Sequence, residues 1–190
     1  MVSSLIVEDI KPFSAPADAK IYERPRVGFE AEGVLFALIE PQRAEHFPTL
    51  TVRTKDKIFE VVPRPHATEF VKFLDDRTNA TIYTHMRAED LVAILERIAE
   101  SRFQAFEDYD ATLHEQLGLL DIESCISSLE GPKKSAAYLA EFADMEYFSN
   151  TWIIDHEDSL IDYPQRKVLI PKFTGDIDDR ELLDFIERYS

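Results

Sequence analysis

With 190 residues, 45% of them apolar and only 5 glycines, the chain is long enough to bury one good-sized core and short for two. Its 37 acidic against 21 basic residues give a net charge of −16, which repels phosphate backbones and anionic membrane surfaces; this disfavours direct nucleic-acid binding and points to a neutral or basic protein partner, although solubility alone accounts for the charge equally well. The single cysteine, Cys125, excludes an internal disulfide framework and cysteine-based zinc sites, and no apolar run reaches the roughly 18 residues of a membrane span, so no membrane insertion is expected.

Residues 1–24, with Pro12 and Pro16 and with Pro25 just beyond, are expected to form an extended arm draped on the domain or on a partner, leaving 25–190 as the folded unit. The opening MVSSLIVEDIKPFSAPADAK has neither an apolar stretch behind a basic start nor an Arg-rich, acid-poor pattern. An intracellular chain is expected, cytoplasmic or nuclear, with a mitochondrial location as the alternative.

VGFEAEGVLF predicts a buried strand over 27–36 carrying Glu30 and Glu32. Leu50–Arg53 and Ile58–Val62 flank Thr54–Lys57 as a hairpin with alternating apolar positions. Pro65 stands where a helix begins, and Ala67, Phe70, Val71 and Leu74 recur on one face of it. Ala80–Thr84 is a short β-rich run, followed by Leu91, Ile94, Leu95 and Ile98 at helical spacing. Residues 103–132 show no clear period, whereas Ser135–Phe142 is again helical, Thr151–Asp155 and Lys167–Ile170 are strands, and Asp178–Tyr189 closes the chain as a helix. This alternation predicts an α/β domain with a mainly parallel sheet flanked by helices. In such sheets ligands sit at the carboxyl ends of the strands, which places Glu30, Glu32, Thr84 and Asp155 at one edge.

The bland alternative is available for each of these residues. Glu30 and Glu32 fit the solvent side of an amphipathic strand with Phe29 and Ala31 inward, and Thr84 is an ordinary strand-end residue. His46, His85 and His114 lack paired ligand spacing, His66 begins a helix, and His156 reads as a surface histidine rather than a ligand.

Five segments in order, FEAEGVLF, VPRPHATEFVKFL, ATIYTHM, WIIDHEDS and VLIPKFTGDIDDRELLDFI, resemble the haloacid dehalogenase superfamily. Within it they are similar to the branch of small CTD phosphatases, NLI-interacting-factor-like phosphatases and the mitochondrial presequence-translocase receptor. The resemblance implies a Rossmann-like fold with a small β-hairpin insertion after the first strand and no large cap domain. It also places Glu30 at the phosphorylated nucleophile, Glu32 at the general acid/base, Thr84 at the phosphoryl-binding hydroxyl, and Lys133 or Lys134 at the stabilising lysine. Asp155 falls at a magnesium ligand, to which Glu30 and Glu32 would add if Mg2+ binding is retained, and His156 replaces the carboxylate or amide that usually follows it.

Both aspartates of the first motif are thus glutamates here. One added methylene moves a carboxylate by on the order of 1 Å, and a displacement of that size costs about a hundredfold in rate. The resemblance therefore implies a catalytically inactive phosphatase-like domain, with no cofactor, that serves as a protein-interaction module or subunit of a larger complex. The alternatives are a Mg2+-dependent phosphoprotein phosphatase of altered geometry and a translocase-receptor-like or organellar subunit.

Overall fold

The computed structural model describes residues 13, 24–101, 117–128, 131–141, 150–157 and 167–190. In chain order the elements are β1 (Arg26–Phe29), β2 (Phe36–Ile39), β3 (Leu50–Arg53), β4 (Ile58–Pro63), α1 (Ala67–Arg77), β5 (Asn79–Tyr83), α2 (Ala88–Glu100), β6 (Leu119–Leu120), β7 (Ile126–Ser128), β8 (Gly131–Lys133), α3 (Ala136–Glu141), β9 (Thr151–Asp155), β10 (Lys167–Leu169) and α4 (Glu181–Tyr189). Of the expected arm only Phe13 and Arg24 are described, so its extended course lies outside the described residues. Among the described residues no helix is long and apolar enough to cross a membrane.

Five parallel strands form the central sheet in the order β10-β9-β1-β5-β6. Period-two alternation along them sorts side chains to two faces. The register aligns Val27 with Ala80 and Trp152, so Val27, Phe29, Ile82 and Ile154 enter the large core. Phe70, Val71 and Leu74 of α1, Leu91, Ile94, Leu95 and Ile98 of α2, and Leu182 and Phe185 of α4 belong to the same core. The intervening positions, Tyr83 and Ile153, pack instead with Ala136 and Leu139 of α3. Gly28 falls on this second face because a Cβ there would lie 2.9 Å from Leu139 Cδ2. Phe13 is buried in the large core, its ring 5.6 Å from that of Phe185 and 5.1 Å from that of Tyr189.

The expected strand over 27–36 is two strands. β1 ends at Phe29, and Ala31–Leu35 turn back, with the Ala31 carbonyl accepting from Leu35 N–H at 2.8 Å and from Val34 N–H at 3.3 Å. Gly33 makes this possible with φ of 78°, a left-handed conformation that an L side chain adopts at a cost. The released residues become β2, so the expected hairpin of β3 and β4 is part of a three-stranded antiparallel sheet, β2-β4-β3. Lys57 in its turn region ties this insertion to α2 through a 2.9 Å bond to buried Asp90. Burial alone would raise the Asp90 carboxyl, but hydrogen bonds from Lys57 and Thr54 and the Lys57 charge leave it lowered.

From β1 the chain moves outward to β5 and β6, then returns past β1 to add β9 and β10 on the other side. The direction of winding therefore reverses between β1 and β9. Ligand crevices in open α/β sheets lie outside the carboxyl ends of the strands at such a point.

Candidate functional site

Glu30 directly follows β1 and Asp155 ends β9, and Glu30 N–H donates across to the Ile154 carbonyl at 3.0 Å. The two carboxylates are buried together at the reversal point. Lys134 reaches them from the segment after the β7-β8 hairpin, its ammonium donating to Glu30 Oε2 at 2.6 Å and to Asp155 Oδ2 at 2.5 Å. Tyr83 fixes that segment: its hydroxyl accepts from Ser135 N–H at 3.2 Å and donates to the Ser124 carbonyl at 2.8 Å.

His85 completes the cluster. Its Nε2 lies 3.1 Å from the Pro132 carbonyl, which can only accept, so Nε2 carries a proton; Nδ1 lies 2.8 Å from the Lys134 ammonium and 3.0 Å from Glu30 Oε2, and in the neutral ring that follows it accepts from Lys134. This tautomer is assigned from the network. His85 backbone N–H donates to Glu30 Oε2 at 3.2 Å, and Glu30 Oε1 accepts from its neighbour Ala31 N–H at 2.8 Å. Asp155 Oδ1 accepts from His156 N–H at 2.7 Å and Glu157 N–H at 3.2 Å. Burial would push the Glu30 carboxyl up, but the Lys134 charge together with hydrogen bonds from His85, Lys134 and Thr84 holds it well below the usual carboxylate range.

Four of the sequence-predicted residues thus meet: Glu30, Thr84, Lys134 and Asp155. Thr84 is fully buried, with its hydroxyl accepting from Met86 N–H at 3.1 Å. Of the two lysines it is Lys134 that enters the cluster, whereas Lys133 is the last residue of β8, paired in register with Ile126. Glu32 is not in the cluster. From within the turn its carboxylate faces Lys172, 3.4 Å from the ammonium, on the rim of a 190 Å³ groove that Lys172 and Arg43 also line.

Sequence reasoning missed His85, whose spacing matches no metal motif; its signal was its place directly after the strand-end threonine. His156 is a correction. Its side chain is 6% exposed rather than on the surface, packed where a Cβ on Gly33 would lie 2.6 Å from Nδ1. That nitrogen is 3.3 Å from Asp155 Oδ1 but out of line, and makes no hydrogen bond.

The turn carrying Glu30 and Glu32 is clamped from below. Arg64, fully buried, donates to both carboxylate oxygens of Asp179 at 2.8 and 3.0 Å and to the carbonyls of Gly33 and Val34 at 3.3 and 3.4 Å. Its guanidinium stacks over the Phe173 ring, 5.4 Å from the centroid, and Phe173 N–H donates to the Gly33 carbonyl at 2.8 Å.

Compared with known proteins, residues 31–190 match the NLI interacting factor-like phosphatase family. The chain belongs to this family. The matched span begins at Ala31, immediately after Glu30. No curated protein matches the sequence. Among solved structures, the fold is similar to that of Fcp1, an essential RNA polymerase II CTD phosphatase, with a TM-score of 0.51 and 14% identity over 88% of this chain and 50% of that one. It is also similar to a variant of fission yeast RNA polymerase II CTD phosphatase Fcp1 bound to beryllium fluoride, with a TM-score of 0.50 and 12% identity over the same shares. At such identities the likeness is one of fold, and the chain spans about half the length of these structures.

Phosphatases of this superfamily typically use Mg2+, which requires near-ideal octahedral oxygen coordination at about 2.0–2.1 Å. The metal-capable group among the described residues is Glu30, His85 and Asp155, with one ligand atom each within 4.8 Å of one another. Glu32 contributes nothing to it. An imidazole nitrogen takes the place of an oxygen, and the Lys134 ammonium already sits at the centre, bonded to all three. This donor set does not fit Mg2+.

Proposed function

We propose that this member of the NLI interacting factor-like phosphatase family is catalytically inactive and serves as a protein-interaction module or subunit of a larger complex. One observation carries the proposal: the carboxylate at the nucleophile position is held on both oxygens by three hydrogen bonds. In-line attack needs a carboxylate oxygen about 3–3.5 Å from phosphorus with a free lone pair aimed at it. Glu30 Oε1 accepts from Ala31 N–H, and Oε2 accepts from both the Lys134 ammonium and His85 N–H. The second carboxylate that general acid/base work requires, Glu32, is directed to Lys172.

The test is hydrolysis of an aryl phosphate by purified protein with and without Mg2+. No turnover above that of Glu30→Gln supports the proposal; Mg2+-dependent turnover abolished by Glu30→Gln establishes the alternative, a phosphatase of altered geometry. The interaction role rests on the net charge of −16, which suits a basic or neutral partner. Affinity capture of the tagged chain from cells, with and without added salt, identifies that partner, and a basic one is released as salt rises. Imaging of the same tagged chain tests the proposed cytoplasmic or nuclear compartment against the mitochondrial alternative.

A further inference from the structure

We infer that Lys134 is the resident cation of this site: its ammonium takes the place of a divalent metal at the centre of Glu30, His85 and Asp155, and the chain binds no metal there.

A lysine ammonium has three N–H donors, and here each has its own acceptor, Glu30 Oε2 at 2.6 Å, Asp155 Oδ2 at 2.5 Å and His85 Nδ1 at 2.8 Å. Those acceptors are the same three residues that could otherwise hold a metal. Neither lysine nor aspartate side chain is exposed and that of Glu30 is only 3% exposed, so water is kept from the two carboxylate bonds, whereas the His85 side chain is 19% exposed. Of the two carboxylate charges the lysine neutralises one; the other is spread over the N–H groups of Ala31, His85, His156 and Glu157. A divalent cation entering beside the ammonium would meet two like charges at about 4 Å in a poorly solvated site, a repulsion that weakens binding at least about a hundredfold.

The same geometry specifies what appears when the lysine is removed. Two carboxylates and an imidazole remain, a set that favours Co2+ or Zn2+ over Mg2+ because nitrogen ligation suits the later transition metals. The inference stands apart from the proposed loss of activity. A chain that bound no metal but hydrolysed phosphate would overturn only the functional proposal, and one that bound Mg2+ without turnover would overturn only this one.

Isothermal titration of the full chain with Mg2+ and with Co2+ tests it. The wild type is expected to give no saturable heat with either ion at millimolar concentrations and no rise in Tm. Lys134→Ala is expected to bind Co2+ at least about a hundredfold more tightly than the wild type, with visible absorption bands that vanish on adding His85→Ala. Saturable binding of either ion to the wild type, lost in Glu30→Gln, would overturn the inference, as would a folded Lys134→Ala that takes up no Co2+. Should Lys134→Ala and Lys134→Met both fail to fold, the wild-type titration decides alone.

Discussion

Removing Asp179 should destabilise the domain more than removing the arginine it pairs with. Arg64 has no exposed side-chain surface, whereas Asp179 retains 14%. Deleting the carboxylate in Asp179→Ala strands a guanidinium that cannot reach water and keeps only the long bonds to Gly33 and Val34 at 3.3 and 3.4 Å. An uncompensated buried charge costs about 3–5 kcal/mol. Arg64→Met preserves volume over the Phe173 ring and leaves an aspartate that can rehydrate, so the loss is that of two charge-assisted bonds partly replaced by water, about 2–3 kcal/mol. The double variant removes both charges, so the single costs should fail to add by about 2 kcal/mol. Urea denaturation followed by circular dichroism measures all three, with m-values checked for constancy. A cost under about 1 kcal/mol for Asp179→Ala, the reverse order of the two singles, or strict additivity would refute the clamp.

Gly33→Ala combines a left-handed backbone at φ of 78° with a Cβ 2.6 Å from His156 Nδ1, and should cost about 2–4 kcal/mol in the same assay. Because the Glu30 carboxyl is held below its ordinary value of 4.5, it contributes stability that is fully present above that pH and is lost as pH falls below it toward the lowered value. Unfolding free energy measured across this acid range should therefore drop in the wild type and drop less steeply in Glu30→Gln. Burial pushes the Cys125 thiol up to about 11, so alkylation by iodoacetamide followed by mass spectrometry should be slow at pH 7 and quicken with every step in pH; a fast reaction at neutrality would contradict the packing around it.

The strands and helices were legible because burial imposes a period. β9 is buried at all five positions and reads as a continuous apolar run, and α2 repeats Leu91, Ile94, Leu95 and Ile98 on one face. The break after Phe29 was not legible, since the residues on both sides are apolar and only the conformation of Gly33 separates a long strand from a strand, a turn and a second strand. The same turn explains Glu32. Two-residue spacing in a strand would keep it on the same face as Glu30, but the turn sends it to Lys172. Strand ends predicted Glu30, Thr84 and Asp155 because the sheet is parallel and reverses its winding at β1. Lys134 and His85 depend on contacts 104 and 55 residues from Glu30 in sequence, and no local period records them. Arg64 stood in view within RPHATEF, yet its partner lies 115 residues away.

The availability of the Glu30 carboxylate can be read directly with beryllium fluoride, which forms a phosphoryl-like adduct on a free carboxylate beside Mg2+. In 19F NMR of the wild-type chain with beryllium fluoride and Mg2+, an engaged Glu30 predicts only the resonances of the free fluoride species. A protein-bound fluoride resonance that disappears in Glu30→Gln would show a carboxylate still able to accept a phosphoryl group, and would contradict the account.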